Sequence, residues 1–500
     1  MENILIVEAF WARTAIQVDF LKRVASTLEE EHCRIHIEVF EILRSKMMRT
    51  ITKIESLLKR SPETGVNRWK LSLIRESLDE TVTQLQQWQG IFDPTWYLIL
   101  RIGDSVIDSE LLTKQDDADS SLSESMNKIS MSGSLRSSSL RAAQNIRLLL
   151  KSEKNANVHI SLDNKLDWVN ATPIPYSATQ ILRQSNSSRH YVVDSISCDS
   201  GIDLPRARAD SEALAKKLQQ VDPEIFGLLE CYGLIKRRGN GTRQITSLDL
   251  VFRIPSIKTT PRTLRYYLMQ PPSYSLTQLL HTAGQLARAV SFIHAYDFVH
   301  KNIRPETILL FSDPESRTSL GSAHLLGFDS FRSINFHTLL RGDVAWERNL
   351  YRHPSRQGLR AQEKYAMQHD VYSLGVCLLE LGLWQSFVIY QASDCSTKNV
   401  DGDIFLHEDL QSKVDDAKDS TRDLSEPFSY LKEHLVDLAR SRLPMRMGEK
   451  YTAVVMTCLT CMDEGNVDFG DQSEMQDEDG ILIGVRFIEK VLLRLSEISF

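Results

Sequence analysis

The sequence predicts a multidomain chain, an N-terminal all-α helical bundle followed by a two-lobed α+β domain. Over residues 3–101, large apolar residues recur at helical steps, interrupted by helix-breaking pairs. A serine- and aspartate-rich stretch follows, too poor in large apolar residues to bury itself. Beyond it, β-branched and aromatic runs come first and long helical patterns second, the order of a strand-rich small lobe before a helix-rich large one. The expected boundaries are 1–112 for the bundle, 113–150 for the linker and 151–500 for the two-lobed domain. Within that domain the small lobe spans about 165–270 and the large lobe about 271–500.

Composition supports this division. A chain of 500 residues exceeds one ordinary domain, and 42% hydrophobic with 25% charged residues is enough to build sizeable cores. A net charge of -7 without a dominant basic tract argues against a nucleic-acid partner. The seven cysteines are scattered and odd in number, which suits a reducing cytoplasm. Cys458 and Cys461 form a C-x-x-C with no second pair or nearby histidines, so they read as helix-packing residues and no metal site is expected. No secretory signal is expected, since 1–6 is followed at once by Glu8 and no small-residue cleavage site closes a hydrophobic run, and the apolar run at 96–100 is far short of a membrane span.

In the bundle, Val39, Leu43, Met47, Ile51, Ile54 and Leu58 share one helical face. Ser61-Pro62 and Gly65 break that helix, and Trp69, Leu73, Ile74, Leu78, Leu85 and Trp88 mark the next stripe. Asp93-Pro94 reads as a further stop. Residues 116–139 form the linker, with a candidate phosphosite at Arg136 to Ser139. Strands are expected at 191–196, 228–236 and 247–254, with a charged helix at 209–220 between the first two. From Ser275 onward helices dominate, with a flexible acidic insertion at 463–480 and a closing amphipathic helix at 485–498.

The most specific motif is Val299-His300-Lys301-Asn302-Ile303-Arg304-Pro305-Glu306-Thr307-Ile308-Leu309-Leu310. It resembles the catalytic loop of protein kinases, and two further kinase landmarks follow in order: His324-Leu325-Leu326-Gly327-Phe328-Asp329 where D-F-G should stand, and Asp370-Val371-Tyr372-Ser373-Leu374-Gly375 in the large buried helix. The resemblance implies a two-lobed kinase-like fold. It also implies which positions carry chemistry. The catalytic aspartate position holds Asn302, the loop lysine Arg304, the metal-binding asparagine Thr307, and the metal-binding aspartate Gly327. An amide cannot take up a proton, and glycine offers no ligand. Asp329, two residues on, is the one carboxylate that a shifted loop would bring near a metal.

The small lobe departs from the family in the same direction. No glycine lies between Ala171 and His190, where a phosphate-cradling loop belongs. The strand that should end in a lysine offers Asp194, Ser195 or Ile196, so Glu212, the candidate helix glutamate, lacks its family partner and reads as a solvated residue. His353-Pro354-Ser355 stands where the activation segment usually ends in A-P-E. His300, Phe328 and Asp370, which the resemblance assigns to the packed frame, are kept.

A fold kept while its chemistry positions change is expected to be a pseudokinase, a binding or switching module and not an enzyme. Catalytic and metal residues are accordingly expected to be none, and no cofactor is required, with ATP binding without metal left open. The order of bundle, linker and kinase-like domain is similar to fungal proteins that carry a HeLo or prion-inhibition-and-propagation helical domain. The stretches at 88–102, 351–357 and 454–498 carry that likeness, although residues 1–10 have no glycine and contain Glu2 and Glu8. The resemblance implies a pseudokinase domain regulating a helical bundle in cell-death or incompatibility signalling. It further implies protein partners, self-association, and a cytoplasmic protein that reaches the membrane through its bundle on activation. A scaffold with no membrane role and an atypical active kinase are the alternatives.

Overall fold

A computed structural model of the chain describes residues 2–59, 68–102, 104–111, 144, 147, 166–185, 187–198, 203–219, 221–239, 244–255, 260–312, 319–329, 332–333, 345–357, 364–391, 404–412, 429–469 and 481–498. The expected helix break at Ser61-Pro62 and Gly65, the linker at 116–139 with its phosphosite, and residues 470–480 of the expected flexible insertion at 463–480 lie outside the described residues; its first part, 463–469, is packed, with Phe469 buried and Asp468 paired to Arg494 at 2.6 Å. The chain divides into two compact units, Met1–Ser152 and Glu153–Phe500.

The first unit is helical, with α1 (Glu2–Val24), α2 (Glu30–Lys59), α3 (Arg68–Ile99) and a short α4 (105–111). Its core is aromatic. Trp88 stacks on Phe92 at 4.7 Å, and its indole donates to the Val39 carbonyl of α2 at 2.6 Å. The expected stripe on α2 holds at Val39 and Leu43, which are buried, and fails at Ile51, which is 46% exposed.

Asp93-Pro94 does not stop α3, which continues through Pro94 to Ile99. An interior proline costs a helix about 3 kcal/mol, but every residue at 91–100 is buried, which offsets that loss. Thr95 donates its hydroxyl to the Phe92 carbonyl at 2.6 Å. Asp93, with no exposure, accepts from Arg13 at 2.9 Å, Gln89 at 3.1 Å and Gln17 at 3.3 Å. Arg147 also belongs to this unit, bridging to Asp108 at 2.9 Å.

The second unit begins with a five-stranded sheet. Its strands are β1 (Thr172–Pro173), β2 (Gln180–Arg183), β3 (His190–Ser197), β4 (Cys231–Arg238) and β5 (Ile245–Arg253), in spatial order β1-β2-β3-β5-β4. Helix α5 (Leu204–Leu218) lies between β3 and β4, capped by the Asp203 carboxylate accepting from the Arg206 N–H. Alternation assigns the faces: Tyr191, Val193, Ile235 and Val251 form one apolar cluster, leaving Val192 and Asp194 on the opposite face.

The larger part follows with β6 (Thr260–Thr263), α6 (Leu264–Leu268), α7 (Leu276–Ala295), β7 (Phe298–Val299), β8 (Ile308–Ser312), β9 (Ser322–Leu325) and β10 (Arg332–Ser333). The fully buried α8 (Met367–Leu383) is the central post, followed by β11 (Val388–Tyr390), β12 (Ile404–Leu406) and α9 (Ser429–Leu459), which kinks at Gly448. Cys458 and Cys461 are both buried, and the Cys461 thiol bonds to the Gln368 carbonyl on α8. The closing helix begins at Ile481 and contains a π-helical stretch at Ile488–Leu493.

His32 and His36 in α2 stack at 5.1 Å and are 2% and 5% exposed. Burial holds His32 down at about 4, opposed by a bond to the Thr95 backbone; burial, then the neighbouring His32, holds His36 at about 3. The unfolded chain therefore binds protons that the folded unit refuses. Stability is complete above the ordinary value of 6.5 and declines as pH falls toward about 4, by up to ~1.4 kcal/mol per pH unit for each imidazole. Hydrogen exchange of α2 and α3 peptides in the full chain should accelerate on acidification, and His32→Leu with His36→Leu should flatten the response; an unaltered pH response in the double variant contradicts this.

Candidate functional site

The site is built on a loop held by one carboxylate. Asp370, in the first turn of α8, accepts from the His300 N–H at 2.7 Å, the Lys301 N–H at 2.9 Å, the Tyr365 hydroxyl at 2.7 Å and the His294 ring at 3.1 Å. Burial alone would raise its carboxyl, but the His294 bond, the nearby His300 ring and Tyr365 hold it below the ordinary value. Lys301 takes a left-handed φ of 66°, which turns the chain so that two successive N–H groups meet one side chain. Burial pushes the His300 imidazole down to about 4, against the pull of Asp370 and Asp329, so it is neutral at physiological pH. Its ring packs on Phe328 at 5.0 Å, and Phe328 packs on Phe252 of β5 at 6.1 Å.

The remaining positions lock to one another. Asn302 donates through its amide nitrogen to Asp329 at 2.7 Å and to the Gly327 carbonyl at 3.1 Å, and accepts from Arg304 at 2.9 Å. The Thr307 hydroxyl is occupied by backbone, 2.8 Å from the Asn302 carbonyl and 2.9 Å from that of Arg304. Gly327 has φ of 85°, and a Cβ there would lie 2.3 Å from the Thr307 methyl. Only glycine fits this approach.

The five-stranded sheet reaches the same loop through Asp194, one of the three positions, 194–196, where the resemblance expects the lysine. This carboxylate, 1% exposed, accepts from the Phe328 N–H at 2.8 Å and the Gly327 N–H at 3.0 Å. Burial raises it to about 6, opposed by those N–H bonds and assisted by Asp329 and Asp249. The strand thus sets a carboxylate against two backbone N–H groups of the loop.

Glu212 is not a solvated residue. It pairs with Lys236 at 2.7 Å and Arg208 at 2.9 Å, with its side chain 22% exposed. Burial would raise its carboxyl; the two cations hold it lower. Lys236 comes from β4, not from the strand that should carry the lysine. The available signal was the period of two that puts Lys236 on the same face as Leu234, opposite Ile235. At the segment end, His353 and Ser355 form a network with His369 and Lys432 in place of a glutamate ion pair.

Sequence reasoning also missed a buried cluster beside the loop. Arg265, with no exposure, binds Glu306 at 2.9 Å, Glu380 at 2.8 Å, Ser386 at 2.5 Å and the Tyr351 hydroxyl. Nothing in residue order connects these positions.

The residues do not fit a magnesium-bound triphosphate. Asp194 offers repulsion where a phosphate-binding cation is needed, Thr307 is bonded inward, and Gly327 provides no ligand. Among the described residues, no group of three or more His, Cys, Asp or Glu side chains could hold a metal ion.

No family model matches the chain. It is similar to cyclin-dependent kinase 4 of Ovis aries and of Sus scrofa, 26% identical over 187 residues, covering 36% of this chain and 54% of each relative. It is also similar to a putative serine/threonine-protein kinase of Mycoplasma pneumoniae, 24% identical over 127 residues, 24% of this chain and 33% of the relative. The chain spans about half the length of the cyclin-dependent kinase relatives it matches. These matches support a kinase-like region in an α+β chain. They also overturn the expectation that the chain is not an enzyme, because every one of these relatives is named as a kinase. The geometry removes part of the reason for that expectation: the Asp329 carboxylate lies directly against Asn302. Among the described residues, no helix is long and apolar enough to cross a membrane.

Because the folded Asp194 carboxyl sits near 6, the folded state holds a proton between about 4 and about 6 that the unfolded chain has released. Its contribution is present below the unfolded value and is lost as pH rises through about 6. Asp194→Asn should remove this slope, up to ~1.4 kcal/mol per pH unit, as read by hydrogen exchange at Gly327 and Phe328. The same slope in the variant contradicts the assignment.

Proposed function

We propose that the chain is a kinase-like signalling protein whose two-lobed unit receives a ligand or partner in its cleft and controls the N-terminal helical unit, which delivers the output. The supporting observation is the Asp194 carboxylate, carried by the small lobe and bonded to two successive N–H groups of the loop below. Separating the lobes breaks both bonds, so occupancy of the cleft is coupled to closure. The likeness of the helical segment to HeLo-type proteins supports membrane disruption as the output, in cell-death or incompatibility signalling. The name of the cyclin-dependent relatives supports a protein partner as the input.

A second reading, phosphotransfer, is favoured by the 2.7 Å bond from Asn302 to Asp329. Asn302 cannot accept the proton of a substrate hydroxyl, but its amide orients a carboxylate that can. Asp329 is then the general base, and the relatives' names support the activity class. On this reading the full chain with labelled ATP and a protein acceptor transfers phosphate at a rate indifferent to magnesium, and Asp329→Ala slows transfer about a hundredfold; no transfer removes this reading, and an undiminished rate in the variant removes Asp329 from the chemistry. A thermal shift with ATP is expected to be equal with and without magnesium, and a shift that requires magnesium contradicts the reading of Asp194, Thr307 and Gly327 as unfit to hold a metal-bound triphosphate. Leakage of anionic vesicles should rise for full-length Asp194→Asn relative to the wild type; equal leakage argues for an output with no membrane step.

A further inference from the structure

The turn between β1 and β2 stands where the resemblance expects a phosphate-cradling glycine loop, and it is built differently. Its tip residue, Tyr176, has φ of 61°. A bulky side chain in the left-handed region is strained and persists only where surrounding contacts over-determine it. Those contacts are present. Ile174 and Thr179 are buried at the base of the turn, and the Ile174 N–H donates to the Thr179 carbonyl at 3.1 Å. Thr263, at the start of α6, donates its hydroxyl to the Pro175 carbonyl at 3.0 Å. The Tyr176 ring packs on Tyr390 of β11 at 4.9 Å. The Tyr390 hydroxyl in turn donates to Glu306, next to the loop, at 2.9 Å. Burial, then the neighbouring Glu306, raises the Tyr390 hydroxyl, which keeps it a donor.

We propose that this turn is a strap that closes the cleft mouth, with Tyr176 as its latch and Tyr390 on Glu306 as its seat. The proposal rests on the reading of the cleft as a ligand site. A glycine loop closes over a ligand by backbone contacts and is free to move; this turn is tied at two points, to Thr263 before α6 and to Tyr390 of the large lobe. The strain at Tyr176 supplies the tendency to open, and the seat opposes it. A ligand entering the cleft must therefore lift the strap, and anything that unseats Tyr176 favours entry.

The test uses the full chain. Tyr176→Gly removes both the ring and the strain, Tyr176→Ala removes the ring alone, and Tyr390→Leu removes the seat from the opposite side. Hydrogen exchange of the peptide at 174–183 should accelerate about tenfold or more in each variant, with the thermal midpoint of the domain retained in at least one. Adenosine and ATP, titrated as probes, should bind each variant about five- to tenfold more tightly than the wild type. Exchange unchanged within about twofold in all three overturns the strap. Faster exchange without binding of either probe upholds the strap and removes the ligand reading on which it was placed.

Discussion

The buried Asp370 carboxylate is the constraint on which the second unit depends. It ties the first turn of α8 to two consecutive backbone N–H groups of the loop, to a tyrosine and to a histidine. With the loop fixed, Thr307 is placed to accept the Leu326 N–H on its carbonyl at 2.8 Å. That bond positions Gly327 and Phe328, whose N–H groups meet Asp194 from the small lobe. One path therefore runs from the central helix to the small-lobe sheet through buried hydrogen bonds. A buried carboxylate left without these partners would cost several kcal/mol.

Other buried charges follow the same rule of local compensation. Arg265 is shared between two carboxylates, and the result is unequal. Burial would raise Glu306, but Arg265 and then Arg304 hold it low. Burial raises Glu380, and Arg265 with the Phe387 N–H does not fully reverse it. One guanidinium has two anions to neutralise, and the second cation is near only one of them, with Arg304 3.6 Å from Glu306. This cluster connects α6, the loop and α8, and through Tyr390 it meets the strap. Lys217 makes a separate link, donating to the Tyr296 carbonyl from α5 at 2.5 Å over the Phe298 ring. The five-stranded sheet and α5 are thus fastened to the rest of the second unit at several points by charged or polar groups with little exposure.

Much of this was legible in the sequence where local pattern decides structure. The β-branched and aromatic strand at 191–196 and the loop motif around His300 can each be read from neighbouring residues, whereas the helix expected at 209–220 starts earlier, at Leu204, behind the Asp203 cap. Long-range pairing was not. Glu212 finds Lys236, 24 positions away on another strand, and Arg265 finds Glu380, 115 positions away. Pro94 was misread because the stop signal is local, whereas burial of 91–100, which overrides it, is tertiary. Matches to the kinase relatives corrected the expectation of no enzyme, which had been drawn from residue types alone. Side-chain identity at Asn302 could not reveal that Asp329 folds back onto it.

The altered positions around the loop form a mutually dependent set. An aspartate at position 327 would need a side chain where φ is 85° and where the Thr307 methyl already lies within 2.3 Å of a Cβ. Changing Thr307 would release its hydroxyl from the Asn302 and Arg304 carbonyls. Replacing Asn302 by aspartate would set two carboxylates against each other across the 2.7 Å now spanned by the amide and Asp329. A lysine at 194 would lose the bonds to Gly327 and Phe328 and present a donor to donors. Each residue is therefore compatible with its neighbours as they now stand and incompatible with the family residue placed singly. Coupling of this kind describes a site adapted as a unit, and its chemistry is to be sought in the residues it has, Asp194, Asn302 and Asp329.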